Sequence, residues 1–173
     1  MGLQLIFAVE ADPKCKSDWI YIKDTIEQFY RYERTQVKFS PVYMGGKGNY
    51  EKKQKEISKL ISQYSAGSKR NQSRVIYCFD CDDYDSRPAD LKFLDKAQRY
   101  CKERNADFVW FCKDIEQVYT GNSVDKGRKK NEAVSFKVKK KIGELRAEKL
   151  THVEYRNGVS NIMTVLDQYL ERK

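Results

Sequence analysis

The chain reads as an α/β fold, with a mainly parallel central sheet of about four strands flanked by helices and a basic, mainly helical C-terminal extension. Two observations predict it. Apolar runs such as Leu3-Gln4-Leu5-Ile6-Phe7-Ala8-Val9 and Phe108-Val109-Trp110-Phe111-Cys112 read as strands buried on both faces, as parallel sheets require. Between such runs lie segments with apolar residues at helical spacing, which gives the strand–helix alternation of crossover units.

The elements follow in order. After the first strand, Ser17 is placed to cap a helix whose apolar stripe is Trp19, Ile22, Ile26 and Phe29. A second strand spans Val37 to Met44 and ends in the loop Gly45-Gly46-Lys47-Gly48. The next helix begins near Tyr50 and turns Ile57, Leu60, Ile61 and Tyr64 inward, until the polar stretch Ala66 to Ser73 stops it. The third strand is Arg74 to Phe79. Pro88 then opens a helix with Leu91, Leu94, Ala97 and Cys101 on one face. The fourth strand, Phe108 to Cys112, is apolar throughout and reads as central. Beyond a polar connection from Thr120 to Asn131, helices are expected over Glu132 to Arg146 and Asn161 to Glu171, with His152 to Tyr155 as a short edge strand. Residues 1–120 form the α/β core, and 121–173 a basic extension packed on the same domain.

Bulk properties narrow the function classes. At 173 residues, 40% of them hydrophobic, the chain is long and apolar enough for one real core. No apolar stretch approaches the roughly 20 residues that cross a bilayer. The first apolar run lacks a basic leader, so it reads as a strand rather than a signal peptide, and a cytoplasmic location is the default expectation. The five cysteines are odd in number and scattered, which suits a reducing compartment and buried free thiols. Cys78-x-x-Cys81 has no second Cys or His pair to complete a zinc tetrahedron. The lone His152 cannot supply paired or triad chemistry.

The informative feature is the tip of the third strand, where Val75-Ile76-Tyr77-Cys78-Phe79 runs straight into Asp80-Cys81-Asp82-Asp83. Such charges cost several kcal/mol each if buried unpaired, so they belong at the rim of the sheet. Strand alternation places Asp80 and Asp82 on the same side, about 7 Å apart. Glu10, after the last residue of the first strand, arrives at the same edge, where open α/β sheets bind ligands. Converging carboxylates suit Mg²⁺ or Mn²⁺, and such a centre suits phosphoryl transfer. Asp83 and Asp85 read as turn formers.

At this point the chain resembles the TOPRIM superfamily of topoisomerases, bacterial primases and OLD-type nucleases. The motifs are Ala8-Val9-Glu10 ending the first strand, Met44-Gly45-Gly46 after the second, and Phe79-Asp80-Cys81-Asp82 ending the third. The Asp-Cys-Asp-Asp form is most similar to the small RloB-like branch, often linked with ATPase partners in phage-defence and restriction loci. The resemblance covers about the first 120 residues. It implies Glu10 as general acid/base or metal ligand, Asp80 and Asp82 as metal ligands, and Glu116, in Lys113-Asp114-Ile115-Glu116, completing or orienting the site. The chain departs from many members in having Ala11 where they carry glycine, and its loop Asp12 to Lys16 is longer.

A net charge of +9 argues for a polyanionic partner, DNA or RNA. Arg128, Lys129, Lys130, Lys137, Lys139, Lys140 and Lys141 concentrate it in one segment. Lys47 and Lys113 are further candidate phosphate contacts, although the glycine loop around Lys47 lacks the spacing of a nucleotide phosphate loop. Three readings follow: a Mg²⁺- or Mn²⁺-dependent nuclease, a non-catalytic nucleic-acid-binding or ATPase-partner module, and a small-molecule enzyme. The last is weakest, since no dinucleotide fingerprint follows the first strand.

Overall fold

The computed structural model describes residues 2–173. The chain runs β1 (Leu3–Val9), α1 (Ser17–Phe29), β2 (Tyr30–Arg31), β3 (Val37–Tyr43), α2 (Gln54–Gly67), β4 (Gln72–Asp80), α3 (Pro88–Glu103), β5 (Asp107–Phe111), α4 (Ile115–Thr120), α5 (Lys129–Val138), α6 (Ile162–Leu166) and β6 (Glu171–Arg172). Four strands form the central sheet in the order β3-β1-β4-β5, and every pair in it is parallel. β2 and β6 make a separate antiparallel ribbon.

Two apolar layers sandwich the sheet. On one face Leu5, Phe7, Val9, Ile76 and Cys78 meet α1, α4, α5 and α6. On the other, Ile6, Ala8, Tyr77 and Phe79 meet α2 and α3. Alternation along β1 and β4 therefore feeds both layers, the expected pattern for buried parallel strands. Residues 133–170 contribute Ala133, Phe136, Leu150, Ile162 and Met163 to the first layer, sharing its core with β1 and α1.

The order places β3 and β4 on opposite sides of β1. The carboxyl ends of β1 and β4 therefore flank the topological switch point, where a crevice opens in sheets of this kind. Register here is held by a buried polar clamp at the opposite end. Gln4 Nε2 donates to Ser40 Oγ at 2.9 Å, and Ser73 Oγ donates to Gln4 Oε1 at 2.9 Å. Gln4 is fully buried, so a register slip in either neighbour would strand its amide without partners.

Several expectations need correction. The fourth strand is an edge strand, not a central one. Its apolar run is explained by the 159–161 segment, which covers the free edge. Ser160 Oγ donates to the Trp110 carbonyl at 2.6 Å, and the Asn161 side chain bonds the Trp110 amide and the Phe108 carbonyl, both at 2.9 Å. That segment takes the role expected of His152 to Tyr155, which is not a strand. Ser17 is not the cap of α1 but its first residue; Lys16, in a left-handed conformation, precedes it. The C-terminal helices are shorter than their patterns suggest. α5 stops at Val138 and a 3₁₀ turn follows at Lys141–Glu144, while α6 ends at Leu166 before the chain turns into β6.

The cysteine reading is also revised. Cys81 and Cys112, with Cα atoms 5.0 Å apart, form a disulfide joining the tips of β4 and β5. Both side chains fall in the α2/α3 layer, which brings them face to face. The cysteine pattern therefore no longer argues for a reducing compartment. Titration of the denatured, unreduced protein is expected to count three thiols, Cys15, Cys78 and Cys101, rising to five after reduction. Five thiols before reduction would remove the crosslink.

Candidate functional site

The crevice at the switch point is a cleft of about 740 Å³. Glu10, Asp12, Asp18, Asp80 and Asp82 supply its acids, Lys126 and Lys129 its cations, and Gly45 and Gly46 one wall. The backbone sets this wall in place. The Met44 amide donates to the Val9 carbonyl at 2.8 Å, and the Gly46 amide to the Glu10 carbonyl at 2.9 Å, so the loop after β3 folds back over the end of β1. Gly45 and Gly46 both have positive φ, +66° and +124°, which side chains rarely adopt.

The acids come from different elements. Glu10 follows β1, and its carboxylate accepts from the Asp80 amide. Asp80 ends β4 and accepts at 2.9 Å from the Ile115 amide, the first of α4. Asp18 sits in the first turn of α1 and accepts from the Ala11 amide at 2.9 Å. Glu116 is completely buried in α4. Neither of its carboxylate oxygens has a hydrogen-bond partner among the described residues. Its one compensation is the Lys129 ammonium, 3.5 Å from Oε2.

Crowded and desolvated, these carboxyls hold their protons well above the usual range. Burial pushes Glu10 up to about 8, with the Asp18 and Asp82 charges adding to it and the Asp80 amide opposing. Asp80 is raised well above its ordinary value, first by burial and then by Glu10, Asp18 and Glu116. Burial also raises Asp18 and pushes Glu116 up to about 7 against the pull of Lys129.

One expected pairing does not form. Asp80 and Asp82 are not a same-face pair, because the strand ends at Asp80 and Asp82 turns left-handed, with φ +50°. Asp80 faces the α4 side. Asp82 instead accepts from Lys47 Nζ at 2.5 Å, and that ammonium lies over the Phe93 ring of α3. Among the described residues, no three His, Cys, Asp or Glu side chains stand together closely enough to hold a metal ion. The donor set still fits a hard divalent cation in its chemistry. It is rich in carboxylate oxygen, crowded with like charge, and stands beside the buried Glu116 carboxylate, whose oxygens accept no hydrogen bond from the described residues.

The basic residues divide. Lys47 reaches Asp82 and, at 3.6 Å, Asp90. Lys113 lies 3.6 Å from Asp83 and 3.5 Å from Asp85, so those two acids hold it beside the turn. Arg128 pairs with Glu132, Lys129 with Glu116, and Lys130 is exposed. Sequence reasoning missed Asp18. Its signal was position: it stands four residues before Ile22 and eight before Ile26, inside the buried stripe of α1, where an apolar residue would be expected.

Compared with protein-family models, curated proteins and solved structures, the chain matches none.

The raised carboxyls carry a pH signature. The folded state binds these protons more tightly than the unfolded chain. The associated stability is therefore complete below the ordinary value of 4.5 and is lost as pH rises through about 7 for Glu116 and about 8 for Glu10. Without divalent ions, the melting temperature is expected to fall between pH 5 and pH 8, as stability drops by no more than about 1.4 kcal/mol per pH unit for each carboxyl. Glu10→Gln should flatten that fall and raise the melting temperature at pH 8. An unchanged slope in thermal melts would show that Glu10 titrates normally.

Proposed function

We propose that this chain is a divalent-metal-dependent nuclease of TOPRIM type, cleaving nucleic-acid phosphodiesters at the β1/β4 edge. One observation carries the reading: Glu10, Asp18 and Asp80 are gathered from separate elements along the switch-point cleft, with Glu116 buried close enough to raise the proton affinity of Asp80, at an electrostatic cost that folding alone does not explain. Asp80 and Asp82 would hold Mg²⁺ or Mn²⁺, with Glu10 and Glu116 beside them. The ion would stabilise negative charge developing on the phosphoryl oxygens.

The chain's own residues supply the remainder. Glu10, with its proton held up to about pH 8, is placed to exchange a proton with a reacting oxygen at neutral pH. Lys126 and Lys129 stand in the same cleft as the acids and offer positive charge to a phosphate. The net charge of +9 favours approach of a polyanion. On the TOPRIM resemblance, an ATPase partner would direct the nuclease to its target.

A second reading draws support from the Lys47–Asp82 pair and from the lack of a converged metal-binding group. In it, the same fold binds nucleic acid or docks on an ATPase without turnover.

A cleavage assay on labelled DNA and RNA, with and without Mg²⁺ or Mn²⁺, separates the two. The nuclease reading expects metal-dependent cleavage that Glu10→Gln lowers by about 10²–10⁴-fold, the usual worth of a proton-transfer group. Equal rates for wild type and Glu10→Gln, with the partner supplied, would end it. The binding reading expects salt-dependent association that survives Asp80→Asn with Asp82→Asn.

A further inference from the structure

Asp82 is the one residue that lines both the acidic cleft and a neighbouring cleft of about 520 Å³. The second cleft also holds Lys47 and Asp90. The carboxylate of Asp82 is engaged there, accepting from Lys47 Nζ at 2.5 Å. Lys47 is itself anchored on that side. Its ammonium stands 3.6 Å from the buried Asp90 and 4.7 Å from the centre of the Phe93 ring. Asp90 is fixed in turn, accepting from the Asp83 amide at 3.1 Å.

We propose that Lys47 is a positioning residue that works as a latch, holding the Asp82 carboxylate in an ion pair at the border of the acidic cleft until a divalent cation or a substrate phosphate competes for one of the partners. The inference rests on the metal-dependent reading above and adds an element to it: the affinity of the site for the cation is set by a side chain that does not touch the cation. Three features carry it. The acid set has the composition of a hard-cation centre, yet among the described residues no three of its donors stand together. Asp82, the displaced acid, sits in a strained left-handed turn at the border of the two clefts. Lys47 directly follows Gly45 and Gly46, which line the acidic cleft, while its own side chain lines the neighbouring one, so the segment that presents it borders both. The Asp82 charge already raises the proton affinity of Glu10 while Lys47 lowers it, so without the Lys47 ammonium the repulsion in the ion-free state would grow. Lys47 spares the resting protein that repulsion, and the cation has to displace Lys47 to recruit Asp82.

The test is Mn²⁺ binding, followed by the electron paramagnetic resonance signal of free Mn²⁺, in the whole chain without substrate. Lys47→Met keeps the stem over Phe93 and removes the charge, and it should bind Mn²⁺ at least tenfold more tightly than wild type. Lys47→Arg retains the charge and should stay near wild type, and Asp82→Asn in the Lys47→Met background should cancel the gain. If wild type and Lys47→Met bind equally, or the variant binds more weakly, the latch is overturned while the metal reading stands. If neither binds Mn²⁺, the metal reading fails and takes the latch with it. A measurement on the wild type covers the case in which the variant misfolds. Saturating Mn²⁺ should raise acetylation of Lys47 by acetic anhydride, read by peptide mass spectrometry, because a displaced Lys47 leaves its ion pair. Unchanged reactivity in Mn²⁺-bound protein would refute the proposal.

Discussion

Like charge crowded at the carboxyl ends of β1 and β4 is the constraint on which the site depends. Burial raises the proton affinity of Glu10, Asp18, Asp80 and Glu116, and neighbouring acids add to it at Glu10, Asp80 and Glu116. Few groups offset it. The Asp80, Ala11 and Ile115 amides donate to three of the acids, and Lys129 is the single ammonium paired with Glu116. A replacement of these acids by apolar residues of similar volume would be expected to stabilise such a fold or leave it unchanged. The arrangement therefore makes physical sense as a site held ready for positive charge, with the fold bearing the cost.

The sheet provides the rigidity that such a cluster needs. β1 and β4 are its two inner strands, each paired on both sides, so the two acid-bearing ends cannot move independently. The Gln4 clamp ties the amino ends of β1 and β4 to the middle of β3. A one-residue slip of β1 against β4 would break the clamp and exchange the two faces of the strand, taking Glu10 off the Asp80 amide. Polar bonds at one end of the sheet thus fix the acid geometry at the other. The Cys81–Cys112 crosslink adds a covalent tie at the site end, between the strand that carries Asp80 and the one that leads into Glu116.

The sequence was legible where one periodicity governed. The four strands of the central sheet and the helices α1, α2 and α3 follow from apolar runs and 3.6-residue stripes, because each buries a continuous face. Glu10, Asp80 and Asp82 stood out because carboxylates interrupt or end apolar runs, and the fold does bring all three to one cleft. What the sequence hid was non-local. Phe108 to Cys112 looked central because its free edge is covered by a segment some fifty residues later, through Ser160 and Asn161. Asp18 drew no reading from the sequence, although its place in the Ile22/Ile26 stripe of α1 was a signal; its burial becomes plain in the packing of α1. The Asp80/Asp82 pairing failed for a local reason: alternation holds only while the strand lasts, and the left-handed residue at Asp82 ends it.

That one backbone departure divides the site in two. Asp80, still governed by β4, lies with Glu116 and Lys129 on the α1/α4/α5 side, in a desolvated setting where its partners are fixed amides and neighbouring acids. Asp82, past the end of the strand, lies toward the α2/α3 side with Lys47 and Asp90, and its side chain is 41% exposed. Its ion pair is water-accessible and short of strong desolvation, so exchanging one partner for another costs little. Moving Asp80 would instead break its bond to the α4 amide and strip the cluster of its link to β4. The acids therefore differ in kind, with Glu10, Asp80 and Glu116 a fixed set and Asp82 the adjustable member, which is why the proposed latch is placed at Asp82 and the lysine that holds it.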